Sequence, residues 1–206
     1  MKSLAIMGAS GQGKVVADIA RLNGYENIIF VDANSDLESL GQYQVLLEDD
    51  FVAQFDPSEY DVFVGIGNAA IRRKLQEKFE GLGATIPTLI HPNATVAADV
   101  KIGSGTVIMA GAIVNPGTTI GKGCIINTCA SVDHDNIIGD FAHISVSAHT
   151  AGTVVIGDNV WMGIGSIVSN NLTICADAFI CAGAVVVKNI EVAGKYAGYP
   201  ARKTIG

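Results

Sequence analysis

A six-residue repeat dominates the second half of the chain and restricts the folds open to it. Every sixth position from Ile90 to Val192 is Ile or Val in 16 of 18 cases, and no insertion shifts the frame. A small or apolar residue follows four positions later in nearly every hexad, with Asn136 as the clear polar exception. β-branched side chains suit short strands, and small ones suit tight inner corners. The repeat predicts a parallel β-helix of 18-residue coils, so that residues 18 apart lie above one another.

The first part of the chain follows a different pattern, in which short apolar strands alternate with helices. The expected elements are strands over residues 4–7, 27–31 and 61–66 and helices over residues 14–22 and 69–80. Alternation of this kind is typical of a small Rossmann-like α/β domain. We therefore expect that domain over residues 1–85 and the β-helix over residues 86–206.

The turn between the first strand and the first helix is rich in glycine. Gly8 and Gly13 take the first and third places of a phosphate-binding loop, whose backbone N–H groups and helix N-terminus favour anions. Asp32 ends the second strand, 19 residues beyond Gly13, where a carboxylate typically binds a ribose hydroxyl. Gly67 and Asn68 end the third strand and face the same crevice. These residues predict a site for one nucleotide, although a tight turn alone would also use glycines.

Three histidines of the predicted β-helix lie within one stretch of 16 residues. Two of them are candidates for a role in catalysis. His134 lies between Asp133 and Asp135, and a neighbouring carboxylate can orient an imidazole and raise its basicity. One coil further on is Gly152, which leaves space and a backbone N–H. This pairing predicts a general base beside an oxyanion donor. His143 is the second candidate, and a solvated surface histidine is the alternative for both.

Composition excludes several classes of protein. The formal net charge is −7, from 13 Lys plus Arg against 20 Asp plus Glu, which argues against a nucleic-acid-binding protein. The apolar runs are far shorter than the roughly 20 residues that a membrane helix requires. The four cysteines lack the spacing of a zinc site. We therefore expect a cytoplasmic protein with no metal, no nucleic-acid partner and no insertion into a membrane.

The chain as a whole resembles the hexapeptide-repeat acyltransferases with a left-handed β-helix. It is similar to the branch that contains the UDP-N-acetylbacillosamine and GDP-perosamine N-acetyltransferases and the sialic acid O-acetyltransferase relatives. The resemblance implies a homotrimer, with acetyl-CoA between two solenoids and a nucleotide-sugar bound to the N-terminal domain. The motifs that carry it, besides the repeat, are Gly8–Val15, Gly65–Asn68 with Ile71 and Arg72, Asn127–Asp135 and Gly139–Gly152.

The resemblance also implies roles for individual residues. His134 corresponds to the general base and Asp135 to its acidic neighbour. Gln12 stands where relatives carry a histidine placed to touch the sugar. The implied acetyl-CoA site consists of His143, Gly152, Ala182 and Gly183. The implied nucleotide-sugar site consists of Gly8, Ser10, Gly11, Gln12, Asp32, Gly67 and Asn68.

These observations together predict an acetyl-CoA-dependent N-acetyltransferase. Its expected acceptor is the C4 amine of a 4-amino-4,6-dideoxy sugar linked to a nucleotide, with UDP favoured, and its expected role is in bacterial glycan biosynthesis. An O-acetyltransferase for a sialic acid-type sugar is the nearest alternative. A non-catalytic β-helix binding protein is the more distant one.

Overall fold

The structure is a computed structural model that describes residues 3–204. The chain divides between Leu89 and Ile90 into two compact units, where the sequence led us to expect a division near residue 85. In the described residues, no helix has both the length and the hydrophobicity required to span a bilayer.

The N-terminal unit is a five-stranded sheet with helices. The strands are β1 (Ser3–Met7), β2 (Ile28–Asp32), β3 (Ser39–Leu40), β4 (Tyr43–Leu47) and β5 (Tyr60–Val64), and the helices are α1 (Gly11–Leu22), α2 (Glu48–Ala53) and α3 (Ala69–Gly81). The strand order is β3-β4-β2-β1-β5, in which all pairs are parallel except β3 with β4. This confirms the Rossmann-like class and adds β3, β4 and α2, which the sequence did not reveal.

Close packing at the glycine-rich turn fixes where α1 begins. Gly13 lies so near the Gly8 carbonyl oxygen and the Phe30 ring that a methyl group there would collide with both. Glycine is therefore required at position 13, and α1 starts at Gly11, three residues earlier than the hydrophobic pattern indicates. The early start brings the first backbone N–H groups of α1 to the carboxyl end of β1.

The second unit is the expected β-helix, with three sheets along its length in which every strand pair is parallel except the last pair of the third sheet. The first sheet contains β7 (Thr95–Val96), β10 (Ile113–Val114), β13 (Ser131–Val132), β16 (His149–Thr150), β19 (Ile167–Val168) and β22 (Val185–Val186). The second sheet contains β8 (Lys101–Ile102), β11 (Thr119–Ile120), β14 (Ile137–Ile138), β17 (Val155–Ile156) and β20 (Thr173–Ile174). The third sheet contains β6 (Leu89–Ile90), β9 (Val107–Ile108), β12 (Ile125–Ile126), β15 (His143–Ile144), β18 (Trp161–Met162), β21 (Ala178–Ile180), β23 (Gly194–Ala197) and β24 (Arg202–Lys203).

The register of the coils agrees with the sequence period. Val114 pairs with Val132, and Ile126 pairs with Ile144, each 18 positions further along the chain. The inward residues of the frame form one continuous core up to Val186, and even Thr150 and Met162, which interrupt the Ile/Val pattern, remain buried. Val192, the last position of the frame, is exposed. After the last regular coil, Tyr196 and Ala201 pack against that core.

Candidate functional site

His134 lies at the corner between β13 and β14, where it is exposed to solvent. Its Nδ1 atom is 2.8 Å from Asp135 Oδ2. Asp135 has a positive φ of 56°, and this turn aims its carboxylate back at the ring. Because the ionised carboxylate only accepts hydrogen bonds, Nδ1 carries the proton and donates it. The Nε2 atom of the neutral ring is then the proton acceptor.

Two carboxylates stabilise the protonated form of this imidazole. The hydrogen bond to Asp135, together with the charges of Asp133 and Asp135, raises the pKa of His134 above its ordinary value. Asp133 Oδ1 accepts hydrogen bonds from Asn115 Nδ2 and from the His134 backbone N–H, both at 2.8 Å. These bonds lower the pKa of Asp133, which therefore remains charged. The corner is thus suited to a group that takes up a proton.

Gly152 lies against the His134 ring, one coil further along the solenoid. A methyl group on Gly152 would lie 2.5 Å from His134 Nε2, so only glycine leaves room for the imidazole. The register is held by a 2.9 Å hydrogen bond from the Thr153 N–H to the His134 carbonyl oxygen. The structure therefore brings together the two residues that the 18-residue period predicted to be neighbours.

Asn136 fixes the backbone on which His134 is mounted. It is fully buried, and its Nδ2 group donates to the carbonyl oxygens of Asp133 (2.7 Å), His134 (3.2 Å) and Ala151 (2.9 Å). The last of these oxygens belongs to the next coil, so the amide ties the two coils together. We predicted no role for Asn136 from the sequence, although a polar residue at a position that is otherwise small or apolar was the available signal.

The remaining residues of the implied acetyl-CoA site lie elsewhere on the same solenoid. His143 belongs to the third sheet, where Asn127 Nδ2 lies 3.0 Å from its Nε2 atom and the Trp161 ring lies 4.4 Å away between centroids. Ala182 and Gly183 form an exposed corner between the third and first sheets. Since His134 is at the corner between the first and second sheets, one chain alone does not bring these groups to it.

Asp32 organises the glycine-rich loop of the N-terminal unit. Its Oδ2 atom accepts a 2.8 Å hydrogen bond from the Ala9 N–H, and its Oδ1 atom accepts a 2.9 Å bond from the Asn34 N–H. The loop residues Ser10 and Gly11 are exposed at the start of α1, with Gln12 half-buried behind them. The carboxylate therefore holds the loop in place in addition to the ribose contact that we predicted for it.

A buried arginine holds the second loop of this unit. Asn68 caps α3 by accepting a 3.0 Å hydrogen bond from the Ile71 N–H. The Arg72 side chain is 1% exposed and donates to the carbonyl oxygens of Ile66 (2.9 Å) and Gly67 (2.8 Å). Arg72 belongs to one of the motifs named above, but nothing in the sequence indicates that its guanidinium is buried against the Gly67 carbonyl oxygen.

The two loops border a cleft of about 320 Å³ at the carboxyl ends of β1, β2 and β5. Of the predicted nucleotide-sugar residues, Gly8 and Asp32 line it. The rest of the wall combines apolar and ionic groups: Met7, Val31, Ala33, Ile66, Ile71 and Leu75, with Glu48, Lys74 and Lys78. Lys78 Nζ lies 2.8 Å from Glu48 Oε1. Within residues 3–204 there is no group of three or more His, Cys, Asp or Glu side chains arranged to hold a metal ion.

Comparison with known families supports both halves of this description. Residues 3–79 match the PglD N-terminal domain, and residues 99–134 match the bacterial transferase hexapeptide family of six repeats. The UDP-N-acetylbacillosamine N-acetyltransferase of Bacillus subtilis (strain 168) is 34% identical over 129 residues, which cover 53% of this chain and 52% of that protein. The match therefore spans about half the length of this curated relative.

Solved structures resemble nearly the whole chain. The acetyltransferase domain of PglB from Neisseria gonorrhoeae FA1090, in complex with acetyl coenzyme A, has a TM-score of 0.94 and 38% identity, and the match covers 98% of this chain and 99% of that one. PerB from Caulobacter crescentus, in complex with CoA and GDP-perosamine, has a TM-score of 0.92 and 32% identity, and the match covers 98% of this chain and 97% of that one.

Proposed function

Because the chain belongs to the bacterial sugar N-acetyltransferases that join a PglD N-terminal domain to a left-handed hexapeptide-repeat β-helix, we propose that it acetylates a nucleotide-linked amino sugar. The acetyl donor is acetyl-CoA, and the acceptor is the C4 amine of a 4-amino-4,6-dideoxy sugar carried by UDP. The product serves bacterial glycan biosynthesis in the cytoplasm.

The observation that carries this proposal is the arrangement of His134, Asp135 and Gly152. The neutral amine attacks the thioester carbonyl carbon, so that a C–N bond forms and negative charge collects on the carbonyl oxygen. His134 Nε2 accepts the proton that the nitrogen loses, and Asp135 stabilises the imidazolium through Nδ1. The Gly152 N–H stabilises the oxyanion. The C–S bond then breaks, and the imidazolium returns the proton to the thiolate of CoA.

We propose a homotrimer in which acetyl-CoA lies between two solenoids. His134 and His143 are nine residues apart, which is half of an 18-residue coil, so the two side chains lie on different sides of one solenoid. A neighbouring copy would supply the face that carries His143, Ala182 and Gly183. The Asn127 amide next to His143 Nε2 favours a neutral imidazole, which suits a position beside an uncharged thioester.

The cleft of the N-terminal unit is the proposed site for the nucleotide. The N–H groups at the start of α1, after Gly8 and Ser10, point to the position of the diphosphate. Asp32 keeps free lone pairs beyond its two backbone hydrogen bonds, and these accept from a ribose hydroxyl. Arg72 holds the carbonyl oxygens of Ile66, which lines the cleft, and of Gly67 next to it.

The relatives of this chain favour an amine over a hydroxyl acceptor. The Bacillus subtilis protein is an N-acetyltransferase, and PerB holds GDP-perosamine together with CoA. An amine is also the stronger nucleophile, so one histidine base is sufficient for its reaction. A sugar hydroxyl is a weaker nucleophile and would require a stronger base than this histidine.

The deciding experiment measures CoA thiol release from acetyl-CoA with three acceptors. These are UDP- and GDP-linked 4-amino-4,6-dideoxy sugars and free sialic acid, with the acetylated product identified by mass spectrometry and NMR. We expect turnover with the UDP-amino sugar and acetylation at nitrogen. Turnover with sialic acid alone would replace this proposal by O-acetylation, and no turnover with any acceptor would favour a binding protein.

A further inference from the structure

We propose that Glu48, Lys74 and Lys78 recognise the edge of the nucleobase and select a pyrimidine over guanine. This inference rests on the proposed function, since it assigns the cleft of the N-terminal unit to a nucleotide. It goes further by naming the side chains that distinguish one base from another, which neither the glycine-rich loop nor Asp32 can do. Phosphate and ribose are common to all nucleotides.

The position of these side chains in the cleft suits a base. Gly8 and Asp32 come from the carboxyl ends of β1 and β2 and belong to the phosphate and ribose part of the site. Ile66, Ile71 and Leu75 supply apolar surface on which a planar ring can lie. The ionic groups come from the two helices beside the cleft, with Glu48 at the start of α2 and the two lysines on α3. A ring that extends from the ribose therefore meets them with its polar edge.

The three groups form a defined set of hydrogen-bonding partners. Lys74 and Lys78 are four residues apart on α3, which places both on one face of the helix. Lys78 Nζ is 2.8 Å from Glu48 Oε1, and this contact uses only part of the capacity of either group. An ammonium has three donors, and a carboxylate has about four acceptor sites. The cleft thus offers two donor groups and one acceptor group.

This set matches a pyrimidine and not guanine. Uracil presents two carbonyl acceptors around one N3–H donor, which pair with the two ammonium groups and the carboxylate. Guanine presents one carbonyl acceptor beside an N1–H and an amino group, so an ammonium would face donors that it cannot satisfy. Cytosine has one donor and two acceptors and satisfies the same count. The set therefore selects a pyrimidine, and the proposed sugar nucleotide makes that pyrimidine uracil.

A purely structural role does not account for the set. Lys78 and Glu48 are partly exposed, with side-chain exposures of 36% and 23%, and such ion pairs contribute little to stability. Lys74 lines the same cleft. The helix also carries a matched pair outside the cleft, Arg73 with Glu77, at 3.9 Å. Variants of that pair provide a control in the same helix.

The first test measures binding of UDP and GDP to the full chain by isothermal titration calorimetry. We expect UDP to bind at least about tenfold more tightly than GDP. Lys74→Met and Lys78→Met should each weaken UDP binding by about tenfold or more, the effect of one hydrogen bond to a charged group, and should weaken GDP binding much less. The control Arg73→Met should leave both affinities unchanged.

Two results would overturn the inference while the proposed function stands. One is equal binding of UDP and GDP by the unchanged protein. The other is an equal loss of affinity for UDP and for GDP in the lysine variants, which would show that the lysines contact the phosphates. If neither UDP nor GDP bound to the unchanged protein, the nucleotide site would be removed, and with it the proposed function. Thermal unfolding midpoints identify any variant that has lost its fold.

A second test isolates the carboxylate. UDP methylated at N3 lacks the N3–H group that would donate a hydrogen bond to Glu48. We therefore expect it to bind about tenfold more weakly than UDP. In Glu48→Ala that penalty should largely disappear, because the acceptor is gone. An unchanged penalty in the variant would show that Glu48 does not face the base.

Discussion

The imidazole of His134 lies directly against the Cα atom of Gly152, and a methyl group on that atom would lie 2.5 Å from Nε2. The contact joins two successive coils, so the spacing of the solenoid sets the position of the candidate base. It also places the Gly152 backbone next to the atom that accepts the proton. Small changes at this contact should therefore affect chemistry far more than folding.

Gly152→Ala tests this contact. The φ angle of Gly152 lies outside the positive range, so alanine is compatible with the backbone, and its methyl group must displace the ring. We expect kcat/KM to fall by about 10²-fold, comparable to the loss of general-base assistance. Gly81→Ala is the control, since a methyl group there meets no atom within 4 Å. Activity within a few-fold of the unchanged protein in Gly152→Ala would contradict the proposed geometry.

His134→Ala tests the base itself. The side chain is 57% exposed, so its removal should leave the unfolding midpoint unchanged. We expect steady-state assays to show kcat/KM lower by about 10²–10⁴-fold, while UDP binding is retained because the proposed nucleotide cleft lies in the N-terminal unit. If the variant kept near-normal turnover, the amine would be reacting without help from His134.

The pH dependence of the reaction should reveal the contribution of Asp135. Only the neutral imidazole accepts a proton, so kcat/KM should rise with pH through the pKa of His134, which the hydrogen bond to Asp135 raises. Asp135→Asn removes the charge that stabilises the imidazolium, and the pKa should fall. The acid limb of the pH profile should then move to lower pH, while the maximal rate decreases. A limb that stays in place would belong to the amine of the substrate instead.

The sequence predicted those contacts that the regular repeat creates, and it did not predict those that form only when separate segments fold together. The hexad frame predicted the coils and the proximity of His134 and Gly152, because an unbroken period makes distant residues neighbours by simple counting. Residues 33–59 have no such period, and β4 forms only because it pairs with β2. Arg72 resembles the exposed charges of α3 in sequence, and its burial depends on the Ile66 and Gly67 carbonyls, which only the folded loop places above it.

The same period also bears on the prediction that His134 and His143 both line an acetyl-CoA site between two solenoids. A separation of half a coil places them on different sides of the solenoid. The assignment therefore depends on a neighbouring copy. The period was sufficient for this conclusion, whereas the hydrogen bond between Asn127 and His143 required side-chain geometry.

Asn136→Ala tests whether the corner of His134 depends on one buried amide. Its Nδ2 group is shared among three carbonyl oxygens, and their loss of a donor should lower the free energy of unfolding by about 1–3 kcal/mol. Because one of those oxygens belongs to His134, kcat should fall even at temperatures where the variant is fully folded, while UDP binding is retained. Asn170→Ala removes an exposed asparagine whose Oδ1 atom accepts a 3.3 Å hydrogen bond from Ser169 Oγ, and urea titration should show a change below about 0.5 kcal/mol. Equal losses of stability in the two variants, or a fully active Asn136→Ala, would show that the buried amide does not hold the base in place.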